Sequence, residues 1–348
     1  MPPLAGDALA HLHQRAKGDR LETVRLVERM PEVNLETLLA QFVPPPRYSG
    51  ATFDSYHPDP RFSSQAVAKE RLGRWVRDRP QGFFRKKLPD PRGIYLDGGF
   101  GVGKTHLLVA AYWQAPEPKA YLSFEELTYA VGLMGMAQAV ERFGRLAYLF
   151  IDEFELDDPG NAQMVTNLLG QTMEKGLRVA ATSNTPPGAL GQGRFNAEQF
   201  RIQIQSLARR FAVESLDGED YRHRDFQHPP LPLAAEELEE LYHEETRPAS
   251  YDSFAELFYL LRGLHPIRYR YLFDSLEVVY LEGLAPIPDL NDALRFVHFI
   301  DKLYDRGLQL RASGVPLEQI FLESYRHGAF AKKFGRCLSR LSELLGQR

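Results

Sequence analysis

The sequence predicts an α/β fold: a parallel sheet with helices on both faces, preceded by an N-terminal helical arm and followed by a C-terminal mixed α/β extension. Three observations predict it. Short apolar runs alternate with helix-period segments from Gly93 to Asp217. The glycine-rich stretch GGFGVGKTH, Gly98 to His106, follows the first run and opens a helix. A later run, LAYLFID, ends in the paired acids Asp152 and Glu153. Strands separated by helices imply crossover connections, which cover both faces of a parallel sheet and are right-handed.

Residues 1–40 read as short charged helices, with Leu21, Val24, Leu26 and Val27 on one rough stripe. PPPRYSG, Pro44 to Gly50, marks a boundary. An amphipathic helix follows over 63–78, then the basic loop RKKLPDPRG. GIYL (Gly93 to Leu96) is a strand and KTHLLVAAYW a helix. KAYLSF is a strand and EELTYAVGLMGMAQAVERF a helix. LAYLFID is too short for most helices and reads as a buried strand. The next helix is capped by Asp158 with Pro159 at its first position. LRVAATS is a strand, NAEQFRIQIQSLARRF a helix and AVESLD a strand.

HPPLPLAAEELEELYHEETRPAS breaks the alternation as a hinge plus a helix. Beyond it come helices over Phe254–Leu261 and Arg268–Leu276, the strand EVVYLEG, the helix DALRFVHFIDKLYDR, the strand LQLRAS and a final helix. The expected organisation is an arm over 1–50, a nucleotide-binding core over 51–228 and a C-terminal lid or extension over 229–348. One internal echo stands out: KGLRVAATS (Lys175 to Ser183) and RGLQLRASG (Arg306 to Gly314) each follow an amphipathic helix and precede a proline loop. Shared helix–glycine–strand grammar explains it. So does a C-terminal strand added to the same sheet.

Composition bounds the function. Hydrophobic residues at 44% and charged residues at 25% place the chain among globular proteins. A formal net charge of -4 gives no global argument for nucleic acid or an anionic membrane. The single cysteine, Cys337, excludes an intrachain disulfide and fits a reducing compartment. The N-terminus has no secretory core, and no apolar run reaches the roughly 18–20 residues of a membrane span. A cytoplasmic protein is expected.

The chemistry is carried by the loop. Gly98, Gly99, Phe100, Gly101, Val102 and Gly103 turn backbone N–H groups inward as a nest for phosphate oxygens. The following helix adds its N-terminal dipole. Lys104 is assigned to the β- and γ-phosphates, Thr105 to Mg²⁺, and His106 closes the motif. Asp152 at a strand end is the second Mg²⁺ residue, and Glu153 the base that polarises the attacking water. That acidic pair favours hydrolysis over mere binding. Asn184, at the end of VAATS, would touch the γ-phosphate or orient the water; as a lone residue it would equally be a turn. No Asn-Lys-x-Asp signature is present, so ATP is favoured over GTP. Arg210 in SLARRF is the candidate arginine finger acting on a neighbouring subunit, with Arg209 and Arg194 as competitors. Arg268 would sense nucleotide from a lid.

With these residues in place, the sequence resembles the AAA+ class of P-loop NTPases, and more closely the ZapE-type cell-division ATPases and their mitochondrial relatives. The similarity rests on YLDGGFGVGKTHLL, FIDEFELDDPGNA, VAATSNTPPGALGQGRF, SLDGEDYRHR and LRFVHFIDKLYDRGLQLRAS, and runs from Phe53 to the C-terminus. It implies Mg²⁺-dependent ATP hydrolysis, ring-like self-association and a protein partner, which in bacteria belongs to the division machinery at the constriction site. Two other readings stay open. One is a helicase-loader or replication-type ATPase, for which the basic stretches Arg85–Lys87 and Lys332–Arg336 speak, without any recognition-helix signature. The other is a scaffold that holds ATP without hydrolysing it.

Overall fold

The computed structural model describes residues 24–78, 92–99, 101–154, 159–185, 205, 207–219, 230–327 and 330–346. The chain divides into two units, 32–227 and 1–31 together with 228–348, each built on its own sheet.

In the first unit, strands β1 (Gly93–Gly98), β2 (Lys119–Ser123), β3 (Tyr148–Asp152), β4 (Arg178–Ser183) and β5 (Phe211–Leu216) pair in the order β2-β3-β4-β1-β5. Every pairing is parallel. Parallel strands are covered on both faces, so central ones read as continuous apolar runs. Leu149, Phe150 and Ile151 on β3 are accordingly fully buried. β5 lies at the edge, and its burial alternates along the strand. The order places β1 where the topology reverses, the position at which open α/β sheets bind ligands beyond their carboxyl ends.

The covering helices run over Ser63–Arg77, Lys104–Gln114, Phe124–Met134, Met136–Phe143 and Pro159–Glu174. The single helix expected after β2 is therefore two, separated at Gly135. Ser123 ends β2 and caps the next helix: it accepts from Glu126 N–H while the Glu126 carboxylate accepts from Ser123 N–H. A cap of this kind is worth about 1 kcal/mol. The Asp158 cap and most of the helix expected before β5 lie outside the described residues.

The second unit carries a parallel sheet of β6 (Ala249–Ser253), β7 (Val278–Leu284) and β8 (Gln309–Gly314), in that order. The final strand of the sequence echo thus pairs with β7 in a separate sheet and adds nothing to the first one. Backbone pairing is satisfied locally, by whichever strand the crossover helix returns to. Helices Ala235–Glu244, Phe254–Gly263, Leu290–Arg306 and Ala331–Gly346 surround this sheet. The helix expected over Arg268–Leu276 is shorter, a 3-10 turn at Pro266–Arg268 followed by Tyr269–Leu272. Of the residues read as an arm, 24–31 belong to this unit, with Leu26 fully buried, and 32–50 to the first.

Arg336 and Arg340 of the second unit are buried. Arg336 Nη2 lies 2.6 Å from Asp301 Oδ2, and Arg340 bonds the other carboxylate oxygen. A buried charge needs such a partner. Arg336, part of a basic stretch in the sequence, therefore points inward. Cys337, beside it in the chain, is buried and unpaired by any disulfide. Among the described residues no helix is long and apolar enough to cross a membrane.

Candidate functional site

The carboxyl ends of β1, β3 and β4 bring Lys104, Thr105, Asp152, Glu153 and Asn184 together. Parallel pairing sets Leu96 beside Thr182 and Asp97 beside Ser183, so the loop after β1 and the turn after β4 share one end of the sheet. Lys104 is the first residue of its helix and is buried. Its ammonium donates to Gly98 O and Asn184 Oδ1, both at 3.0 Å, and to Gly99 O. Asn184 Oδ1 thus faces the lysine of the phosphate loop. The turn after β4 is pinned on its far side, where Tyr95 Oη donates to Thr185 O at 2.8 Å.

Thr105, one position on, donates to Asp152 Oδ1 at 3.2 Å. Tyr121 Oη donates to Asp152 Oδ2 at 2.7 Å, and Thr182 Oγ1 also bonds this carboxylate. Desolvation by surrounding protein, then the charge of Glu153, raise the Asp152 carboxyl above its usual range, with the three hydroxyls opposing. An anionic group enclosed this way calls for a cation. Among the described residues, no cluster of three or more His, Cys, Asp or Glu side chains forms a metal cage. The donor set of one hydroxyl and one carboxylate instead fits Mg²⁺, which takes few protein ligands and keeps phosphate oxygens and water.

Glu153 has φ 53°, in the left-handed region. Its N–H donates to Asp152 Oδ1 and to Thr182 Oγ1, each at 3.1 Å. A non-glycine residue there costs about 1–2 kcal/mol, and such residues cluster at functional sites.

His106 is placed differently from the reading of the loop. Its Nε2 lies 3.1 Å from Ser55 Oγ and 3.0 Å from Thr52 O, so it ties the helix to the segment before it. Beside that contact, Tyr56 Oη donates to Val102 O at 3.0 Å and braces the loop from behind. Gly103 has φ 89°, and a Cβ built on it would lie 2.4 Å from the Tyr56 ring. Gly103→Ala is therefore expected to destabilise the first unit by more than about 1 kcal/mol. An unchanged thermal melt would contradict this packing.

The arginines separate. Arg210 Nη2 pairs with Glu174 Oε1 at 2.8 Å and Nη1 reaches Gly170 O at 3.4 Å, while Arg209 is exposed. Arg210 also sits at the amino end of the sheet, its carbonyl accepting from Gly93 N–H. Within one chain it therefore lies at the end of β1 away from the phosphate loop. Arg268 belongs to the second unit, and its buried Nε has no hydrogen-bond partner among the described residues. Phe100 and Arg194 fall outside the described residues.

Sequence reasoning missed Tyr56, Tyr121, Thr182 and the pair in which Ser215 Oγ donates to buried Asp97 at 2.6 Å. These residues carry no local signature. The one available signal was a hydroxyl facing a strand end, and it appears only once the strand order is known.

The family model for AFG1-like ATPases matches residues 33–260 and 243–347. The cell division protein ZapE of Escherichia coli K12 is 28% identical, over 73% of this chain and 78% of that protein. An uncharacterised Schizosaccharomyces pombe protein is 26% identical, over 82% of this chain and 81% of its own length. Among solved structures, the DnaC helicase loader superposes with a TM-score of 0.37 at 18% identity, covering 49% of this chain and 99% of the loader. DnaI gives 0.41 at 20% identity, covering 51% and 93%.

Proposed function

The chain belongs to the AFG1-like ATPase family, and from that premise we propose that it hydrolyses ATP with Mg²⁺ and uses the cycle to remodel a protein partner. The observation that carries hydrolysis is Glu153, held in a costly backbone conformation directly after the enclosed Asp152. Lys104 supplies the fixed cation for the β- and γ-phosphates, and the loop N–H groups supply the nest. Thr105 and Asp152 would hold Mg²⁺, which would supply positive charge to offset that of the phosphates. Glu153 takes the proton of the attacking water as general base. Asn184, anchored through Lys104, orients that water or the γ-phosphate.

The similarity to a cell division protein supports a partner in the division machinery; a cytoplasmic place at the division site and ring-like self-association are part of the same proposal. Of the basic stretches behind the nucleic-acid reading, Arg85–Lys87 lies outside the described residues, and Arg336 is buried against Asp301 and adds no basic surface. DNA binding followed against salt tests this: a phosphate-binding surface would lose affinity steeply with rising salt. The account expects no such binding. It expects a division protein to be held by Glu153→Gln with ATP and released by Lys104→Ala.

The finger role falls to the Arg209–Arg210 pair. Both alanine variants are expected to bind nucleotide. The one that removes the finger loses most turnover alone and regains part when mixed with Lys104→Ala chains, which still supply it, because a finger acts in trans. Full activity in both variants would move the role to Arg194.

Asp152→Asn tests the electrostatics. A carboxyl raised in the folded state binds its proton more tightly there than in the unfolded chain. Its contribution to stability therefore falls as pH rises through and above the ordinary Asp range. At neutral pH, without nucleotide, Asp152→Asn is expected to melt no lower than wild type. Mg²⁺ should then add little to its stabilisation by ATP. A marked loss of stability without nucleotide would contradict this.

A further inference from the structure

The sheet of the second unit repeats the first in detail. Moving 130 residues along the chain carries Pro118–Phe154 onto Pro248–Leu284 without a gap. The register moves with it: Ser123 faces Asp152 across β2 and β3, and Ser253 faces Glu282 across β6 and β7. Ala147 and Tyr148 N–H both donate to Pro118 O, at 2.7 and 3.4 Å. Glu277 and Val278 N–H both donate to Pro248 O, at 2.8 and 3.3 Å. Ser123 and Ser253 each precede a helix that buries Phe and Leu at the same positions, Phe124 and Leu127 against Phe254 and Leu257, although only Ser123 closes a capping box. Glu153 N–H donates to Thr182 Oγ1 at 3.1 Å, and Gly283 N–H donates to Ser313 Oγ at 3.1 Å.

The side-chain packing repeats as well. Tyr112 meets Tyr121 and Phe150 with ring centroids 6.1 and 5.7 Å apart. Tyr242 meets Tyr251 and Tyr280 at 5.0 and 5.2 Å. The edges follow: Tyr121 N–H donates to Phe42 O, and Tyr251 N–H to Val24 O. On the far side, Leu96 pairs with Thr182 and Leu233 with Ser313, its counterpart. Shared helix–strand grammar does not reproduce register, ring contacts and edge bonds together.

The differences fall on the chemistry. Between Leu96 and the helix starting at Lys104 lie residues 97–103, the phosphate loop. Between Leu233 and the helix starting at Ala235 lies only Ala234. Lys104 and Thr105 correspond to Ala234 and Ala235, Glu153 to Gly283 and Asn184 to Val315. Glu236 and Glu237 occupy the first turn of the helix, where the first unit's helix would receive phosphate. Acids there satisfy the helix dipole and repel an anion. Gly283 keeps the left-handed φ, 78°, that Glu153 adopts at 53°. Glycine takes that conformation without strain, so the backbone is retained and the costly side chain is gone.

We infer that residues 233–314 are a second copy of the nucleotide-binding half, 96–183, from which the phosphate loop has been excised, so that each chain takes one nucleotide and the second unit takes none. Read together, the copies act as an internal control. What they share, such as the strand register, the ring packing and the edge bonds, serves the fold. What they do not share, Lys104, Thr105, Glu153 and Asn184, serves the reaction.

The inference rests on the first unit being the ATP site, and the test separates the two claims. The full chain is titrated by calorimetry with a non-hydrolysable imido analogue of ATP and Mg²⁺. Wild type is expected to take one equivalent per chain, and Lys104→Ala none at concentrations that saturate wild type. Glu282→Gln is expected to match wild type in stoichiometry, and in phosphate release from ATP within about twofold, a modest change on the tenfold-per-1.4 kcal/mol scale. Two equivalents in wild type, or one left in Lys104→Ala and removed by adding Glu282→Gln, would overturn the inference alone. No binding at all would overturn it together with the proposed function.

Discussion

Glu153→Gln is expected to bind ATP as wild type does and to hydrolyse it about 10²–10⁴-fold more slowly, the usual cost of a lost general base. The amide has nearly the carboxylate's shape but cannot accept the water's proton. The contacts that enclose Asp152 come from Thr105, Tyr121, Thr182 and the Glu153 backbone N–H, and none uses the Glu153 side chain. The cation pair and the phosphate nest should therefore survive. Removing the negative charge beside Asp152 should also ease that residue's ionisation, since the Glu153 charge helps to raise it. Nucleotide affinity is then expected to be equal or higher, with turnover the quantity that collapses. A variant that turns over at the wild-type rate, measured by phosphate release with Mg²⁺, would assign the base elsewhere.

Lys104→Ala is expected to fail one step earlier. Its ammonium is the fixed cation at the phosphate loop, anchored by Gly98 O and Asn184 Oδ1. Charge-assisted contacts to phosphate are the strong ones, and losing the cation should weaken ATP binding at least about a hundredfold, close to 3 kcal/mol. The carbonyls left behind would face the phosphates without a donor between them, which deepens the loss. The Asn184 amide also loses its anchor, so any residual turnover should fall with the affinity. Affinity within about twofold of wild type, a modest shift on the same scale, would mean that the loop does not hold the phosphates.

The first unit was largely legible because its chemistry is local in sequence. Gly98 to Thr105 lie within one turn and one helix start, and Asp152–Glu153 end a single apolar run. The contact between Lys104 and Asn184 was not legible in the same way. It depends on β4 pairing beside β1 across 80 positions of sequence. Tyr56 and Tyr121 were missed for that reason too: nothing near them in the chain says which backbone or carboxylate they will meet. Gly135 was read as helix interior, although its φ of 73° divides the helix. The echo between Lys175–Ser183 and Arg306–Gly314 was visible. Its extent was not, because the two copies agree in register and ring contacts more than in residue identity. Arg210 looked free at a helix end, but Glu174 reaches it from a helix distant in sequence.

The central claim is that this site hydrolyses ATP and does not only hold it. Phosphate release from ATP by the purified full chain, with Mg²⁺ and then with a chelator, tests it most directly. The account predicts steady multiple turnover with Mg²⁺, abolished by the chelator and by Glu153→Gln. Tight ATP binding with no release above the protein-free blank would contradict it and leave a nucleotide-holding scaffold.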